Sequence, residues 1–330
     1  MPDTDAPVIE TTGLCKEFRT RRGRRVVAVD GLDLTVPTGG VHGFLGPNGS
    51  GKTTTIRMLL GLARASTGDM RLFGERVPHG LPQVMPRVGA VVEQPKFVPT
   101  FTGRKNLLLL ARSVGVPSSA VDTALEKVGL ADRGKDRYKG YSLGMKQRLA
   151  IAATLPKSPD LLILDEPTNG LDPAGIRDIR TMIRDLGDSG VTVLLSSHIL
   201  AEVQQVCHSV SIIGSGRLLA SGRVEDLVGA SQASQVRVGV ADPSAAQQVL
   251  EQDGFEVRVD GERLVVSVPE GAYVDPERVT RSLAAHQIYV RELTPVQADL
   301  ESVFLQLTRD DALHAPGPSP AASHDEDGAR

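Results

Sequence analysis

The chain has 330 residues, 40% of them hydrophobic and 23% charged, with a formal net charge of −3; that length and apolar content suit one full-sized globular domain plus a smaller one. The small negative charge excludes a global attraction to nucleic acid or to an anionic membrane, and no apolar run approaches the roughly 20 residues that span a bilayer. The two cysteines, Cys15 and Cys207, stand without a CxxC or a His/Cys cluster, which excludes a disulfide framework and a structural zinc site.

The opening MPDTDAPVIE has neither the basic nor the apolar segment of a secretory signal, so a cytoplasmic protein is expected. β-rich segments run as far as Phe44, followed by a glycine-rich loop and a helix over 53–63. A strand is expected over 88–92, and a helical pattern over 118–155, where Val121, Leu125 and Val128 recur three or four apart. Residues 161–164 and 191–195 read as buried strands, so the alternation predicts a parallel α/β sheet with helices packed on it, spanning 8–228. Composition shifts near Gly229. Beyond it, strands at 236–240, 255–259, 264–268 and 288–293 and helices at 243–252 and 276–286 give the order β-α-β-β-α-β, a small ferredoxin-like α+β domain over 234–308. Residues 311–330, rich in Pro, Ala, Ser and acidic side chains, are expected to be a disordered tail.

The chemistry is densest in Gly46-Pro47-Asn48-Gly49-Ser50-Gly51-Lys52-Thr53, which fits G-x-x-x-x-G-K-[ST] between an apolar strand and a helix. Glycines let successive N–H groups converge on phosphates, and the helix N-terminus adds its dipole. Lys52 would reach the terminal phosphates of ATP, Thr53 would ligate Mg²⁺, and Thr54 continues the binding segment into the helix. The strand ending in Asp165-Glu166 delivers two carboxylates where ligands of open α/β sheets gather. Asp165 would hold Mg²⁺ through its water shell and Glu166 would polarise the attacking water. An acidic pair after a strand is otherwise a solvated strand end; its company with the P-loop decides for chemistry.

Tyr141-Ser142-Leu143-Gly144-Met145-Lys-Gln-Arg148 opens a helix about twenty residues before the Asp-Glu strand and resembles the signature motif of ABC ATPases. Gln94, Gly170-Leu171-Asp172 and His198 then fall in that family's order. The resemblance implies a P-loop NTPase cassette with a helical subdomain. In it Ser142 and the amides near Gly144 cap the phosphate held by the opposite subunit, so that each ATP lies between two chains. It further assigns Gln94 to magnesium and to the membrane domain, Asp172 to communication across the dimer, and His198 to the γ-phosphate. Phe18 corresponds to the aromatic that stacks on adenine, against the competing reading of a core Phe. The commonest signature is Leu-Ser-Gly-Gly-Gln; here Leu143 and Met145 occupy its third and fifth positions.

The forms YSLGMKQR, EPTNGLDPAGI and SSHIL, with Leu300-Glu-Ser-Val-Phe304 near the end, resemble the bacterial drug and antibiotic exporter subfamily that includes the bacitracin and daunorubicin resistance ATPases. That implies MgATP hydrolysis by a pair of such chains, peripheral on the cytoplasmic face of the membrane and coupled to a separately encoded permease. Two other readings compete. A cytosolic ABC ATPase acting on nucleic acid or ribosomes would carry two cassettes or a long coiled-coil insertion, and neither is present. A regulatory nucleotide-binding module would be expected to lack Lys52 or Glu166. The basic run 19–25 has no interleaved aromatics and reads as a solvated loop.

Overall fold

The computed structural model describes residues 6–19, 23–93, 96–229, 235–268 and 274–296, together with 300, 301, 303, 304 and 307. The expected tail, 311–330, lies outside the described residues. In chain order β1 Ile9–Arg19, β2 Arg25–Leu32, β3 Thr35–Val36 and β4 Val41–Leu45 lead into α1 Lys52–Leu59, β5 Thr67–Leu72 and β6 Glu75–Val77. There follow α2 Leu81–Val84, β7 Val88–Val91, α3 Gly103–Ser113, α4 Ser118–Lys127 and α5 Leu143–Ala152. The main domain continues with β8 Leu161–Asp165, α6 Pro173–Asp188, β9 Thr192–Ser197, α7 Leu200–Val206, β10 Ser209–Gly214, β11 Arg217–Arg223 and α8 Val224–Gly229. The last elements are β12 Gln235–Gly239, α9 Pro243–Gln252, β13 Glu256–Asp260, β14 Arg263–Ser267, α10 Pro276–Ala285 and β15 Glu292–Val296.

Among the described residues the strands form three sheets. One has the order β11-β10-β4-β9-β8-β7, parallel except for the β10–β11 hairpin. A second, antiparallel, runs β2-β1-β5-β6 with β3 beside β1. The third, also antiparallel, runs β13-β14-β12-β15. The parallel strands are apolar throughout because both faces are covered. On β8, Leu162 and Leu164 face the helices α3–α7, while Leu161 and Ile163 face the core shared with α1 and the antiparallel sheet. β12–β15 close a separate core with α9 and α10, including Val236, Val238, Leu250, Leu264 and Leu283.

The structure departs from the sequence expectation at several places, and α6, α7, β10 and β11 were not anticipated. Helix α1 stops at Leu59, short of residue 63, because Gly61 takes a left-handed φ of 71° and Leu62 N–H turns back to Arg57 O. The stretch 118–155 is two helices: Gly129, φ 64°, ends α4 with Leu130 N–H bonded to Leu125 O, and Ser142 restarts the helix as an N-cap. Helix α3 arises from Leu107-Leu-Leu-Leu-Ala111, a run with no periodicity to announce it. The last strand lies at β15, not 288–293, because Ile288 and Val290 fill the small core as irregular chain and pairing with β12 begins beyond them. Pro295 is accommodated because β15 is an edge strand. Past it the chain returns to the main domain, where Leu300 is fully buried and Val303, Phe304 and Leu307 pack against the α3–α7 core.

Candidate active site

Four loops leave the same ends of adjacent parallel strands: the P-loop after β4, His198 after β9, Asp165-Glu166 at β8 and the segment after β7. Strand order therefore sets side by side what the sequence separates by more than a hundred residues, at the edge where ligands of open α/β sheets bind.

The P-loop wraps the start of α1 with no side-chain cap and no acidic residue in the first turn. Its first N–H groups and the positive end of the helix are left for an anion. Gly51, φ 105°, lies so close to β2 that a Cβ there would sit 2.5 Å from Ala28 O. Gly46 is equally confined, since its Cβ would meet Ile213 O and Ser50 Oγ at 2.5 Å each. Ser50 Oγ is buried without a hydrogen-bond partner, a polar atom available to a phosphate oxygen. Lys52, 5% exposed, donates to Gly46 O at 2.7 Å and Pro47 O at 3.3 Å, and its Nζ is 3.4 Å from Glu166 Oε1. A pocket of about 180 Å³ is lined by Ala28, Asn48, Gly49, Gly51, Lys52, Thr53, Thr54 and Glu166.

Thr53 Oγ1 donates to Asp165 Oδ2 at 2.8 Å, and Ser196 Oγ donates to Asp165 Oδ1. The same Ser196 Oγ accepts the Glu166 N–H at 3.0 Å. Glu166 has a left-handed φ of 49°. Its Oε2 lies 2.7 Å from His198 Nδ1. Lys52, Thr53, Asp165, Glu166 and His198 thus form one contiguous cluster, and Ser196, which sequence reasoning passed over, joins the Asp165 carboxylate to the backbone N–H of Glu166. The run Ser196-Ser197-His198 at the end of a buried strand was the available signal. The cluster fits Mg²⁺ and a polyphosphate: a hydroxyl and a carboxylate side by side are hard oxygen donors, and the lysine lies beside them.

Gln94 lies outside the described residues; its neighbour Glu93, φ 66°, ion-pairs with Arg57. Phe18 is 45% exposed, not a core residue, with Lys16 Nζ 4.9 Å from its ring centre. It pairs with Val26 on β2, two residues before the Ala28 that abuts the P-loop. Ser142 caps α5 by accepting Met145 N–H at 3.2 Å, and Asp172 caps α6 by accepting Gly175 N–H at 3.2 Å. These two helix starts adjoin: a Cβ on Gly170 would lie 3.5 Å from Leu143, and one on Gly144 would lie 3.9 Å from Gly175. None of residues 142–145 lines the P-loop pocket.

The ABC transporter family profile matches residues 29–169, from β2 through the Asp-Glu strand. The bacitracin transport ATP-binding protein BcrA of Bacillus licheniformis is 38% identical over 91% of this chain and 97% of its own. The daunorubicin/doxorubicin resistance ATP-binding protein DrrA of Streptomyces peucetius is 37% identical over 91% and 92%. Among solved structures, cbiO1 of Clostridium perfringens, part of the ABC transporter complex cbiONQ, superposes with a TM-score of 0.61 at 25% identity, covering 68% of this chain and 92% of that one. Likeness along nearly the full length to these relatives, with the family match over the P-loop and the Asp-Glu strand, makes this chain a member of the ABC transporter ATP-binding proteins, an ATPase built on the P-loop cassette.

Proposed function

We propose that the chain is the MgATP-hydrolysing subunit of an ABC exporter, working as a pair of chains on the cytoplasmic face of a separate membrane permease and moving a drug, antibiotic or lipid-like substrate. The contact of Glu166 with both Lys52 and His198 carries the chemical part. Terminal phosphates compete with Glu166 and two loop carbonyls for Lys52. Once Lys52 turns to phosphate, Glu166 Oε1 is released to take a proton from the attacking water, while His198 holds Oε2 in place. Thr53, Asp165 and Gln94 would hold Mg²⁺, which when bound neutralises charge on the phosphates. Phe18 offers its exposed ring to adenine.

The export reading rests on relatives named for bacitracin transport and daunorubicin/doxorubicin resistance that match this chain almost end to end. They also disfavour action on nucleic acid or ribosomes. No helix among the described residues is long and apolar enough to cross a membrane. Val98, in the segment that follows Gln94, and Leu109, Leu110 and Val114, at the end of α3, stand 41–48% exposed, apolar side chains available to a permease.

Pairing is supported by Ser142 and Gly144 standing outside the pocket of their own chain, with Ser142 exposed at the start of α5. Mixing Lys52→Ala with Ser142→Arg tests it. In a mixed dimer one site carries both lesions and the other is intact, so ATPase activity is expected to reappear on mixing. In parallel, Glu166→Gln should elute as a dimer with MgATP and as a monomer without it. A Glu166→Gln protein that binds ATP yet stays monomeric, with no recovery on mixing, would remove the composite site.

A further inference from the structure

We infer that Glu202 is a positioning residue for ATP hydrolysis, acting through His198 and the turn that carries Glu166; the inference rests on the ATPase reading of that site. Glu202 lies on α7, which begins two residues after His198, and is only 5% exposed. Its two carboxylate oxygens are divided between two elements. Oε2 accepts from Thr168 Oγ1 at 2.7 Å, and Oε1 lies 3.1 Å from Arg180 on α6.

Thr168 is itself buried and belongs to the turn between Glu166 and Asp172, where Asn169 N–H bonds to Glu166 O and Leu171 N–H to Thr168 O. Arg180 is further held by Gln205 Oε1 at 2.8 Å, on the same helix as Glu202. One carboxylate therefore ties the helix behind His198 to the turn behind Glu166 and to the helix that Asp172 caps. A buried carboxylate is retained only with such partners, and its loss leaves Arg180, whose Nε is already buried and unpartnered, without a counter-charge. The mutual geometry of His198 and Glu166, 2.7 Å apart, is set from behind by this link. Among the described residues, Thr168, Arg180 and Glu202 do not line the P-loop pocket, so the link acts on the chemical step more than on the hold on nucleotide.

The test is steady-state MgATP hydrolysis by full-length Glu202→Gln, which keeps shape and removes charge, beside Thr168→Val and Thr168→Ser. Glu202→Gln and Thr168→Val should each lower kcat between about tenfold and a hundredfold with KM for ATP within about twofold, because small misplacement of a catalytic pair is costly. The double variant should be no worse than either alone, and Thr168→Ser should retain wild-type turnover. In protein with ¹³C-labelled histidine, the His198 ring signal should shift in Glu202→Gln while those of His42 and His208 stay. Unchanged kcat, a rise in KM that accounts for the loss, additive effects in the double variant, or an unmoved His198 signal would each overturn the role. A wild-type protein that hydrolyses no ATP would instead strike the ATPase reading itself, so the two failures are distinguishable.

Discussion

Glu166 holds a left-handed backbone at φ 49°, a conformation that costs a non-glycine residue about 1–2 kcal/mol. Ser196 sustains it by accepting the Glu166 N–H while donating to Asp165. Ser196→Ala removes both bonds in a site where nothing else replaces the donor to Asp165 Oδ1. We expect ATP binding to persist and kcat to fall about tenfold or more; wild-type kcat in that variant would show the bridge to be idle. His42 is a second residue with a measurable consequence. Buried between Ser209 and Ser211, it has its pKa pushed down by desolvation from 6.5 to about 4. The unfolded chain therefore takes up the proton first as pH falls, so this stability is complete above about pH 6.5 and is lost on the way down to about 4. Between about pH 7 and pH 5 the loss should be about 2 kcal/mol, read as a fall in unfolding midpoint that His42→Gln largely abolishes. An identical acid limb in both proteins would contradict it.

At the scale of elements, the β4–P-loop–α1 unit depends on Gly51 for close approach to β2. Gly51→Ala is expected to abolish ATP binding while far-ultraviolet circular dichroism is unchanged, since its Cβ would sit 2.5 Å from Ala28 O at a φ of 105°; retained nucleotide affinity would contradict this. The P-loop and the Asp165-Glu166 strand were legible in sequence because each is a contiguous signal written by local chemistry. The start of α5 was legible through Ser142, whereas α6 and its Asp172 cap were not anticipated. What escaped is long-range or aperiodic. Helix α3 has a solid leucine run, half of it exposed, and β15 was displaced by Ile288 and Val290, which are apolar for the sake of the small core. Ser196 and the Thr168–Glu202–Arg180 link join residues 22 to 34 positions apart, through contacts that no spacing rule encodes.

At the scale of the molecule, the two cores of the main domain clamp the parallel sheet from both faces, and the segment after the small domain returns to one of them through Leu300. On the proposed assembly, the protein expressed alone should partition with the soluble fraction and move to membranes only when co-expressed with a cognate permease; firm membrane association without any partner would contradict that assembly. Glu166, held between Lys52 and His198, is proposed as the base for ATP hydrolysis. The most direct measurement of that role is the MgATP hydrolysis rate of Glu166→Gln alongside its nucleotide affinity. We expect binding to be retained and turnover to fall at least about a hundredfold, whereas near-normal turnover in that variant would contradict the account.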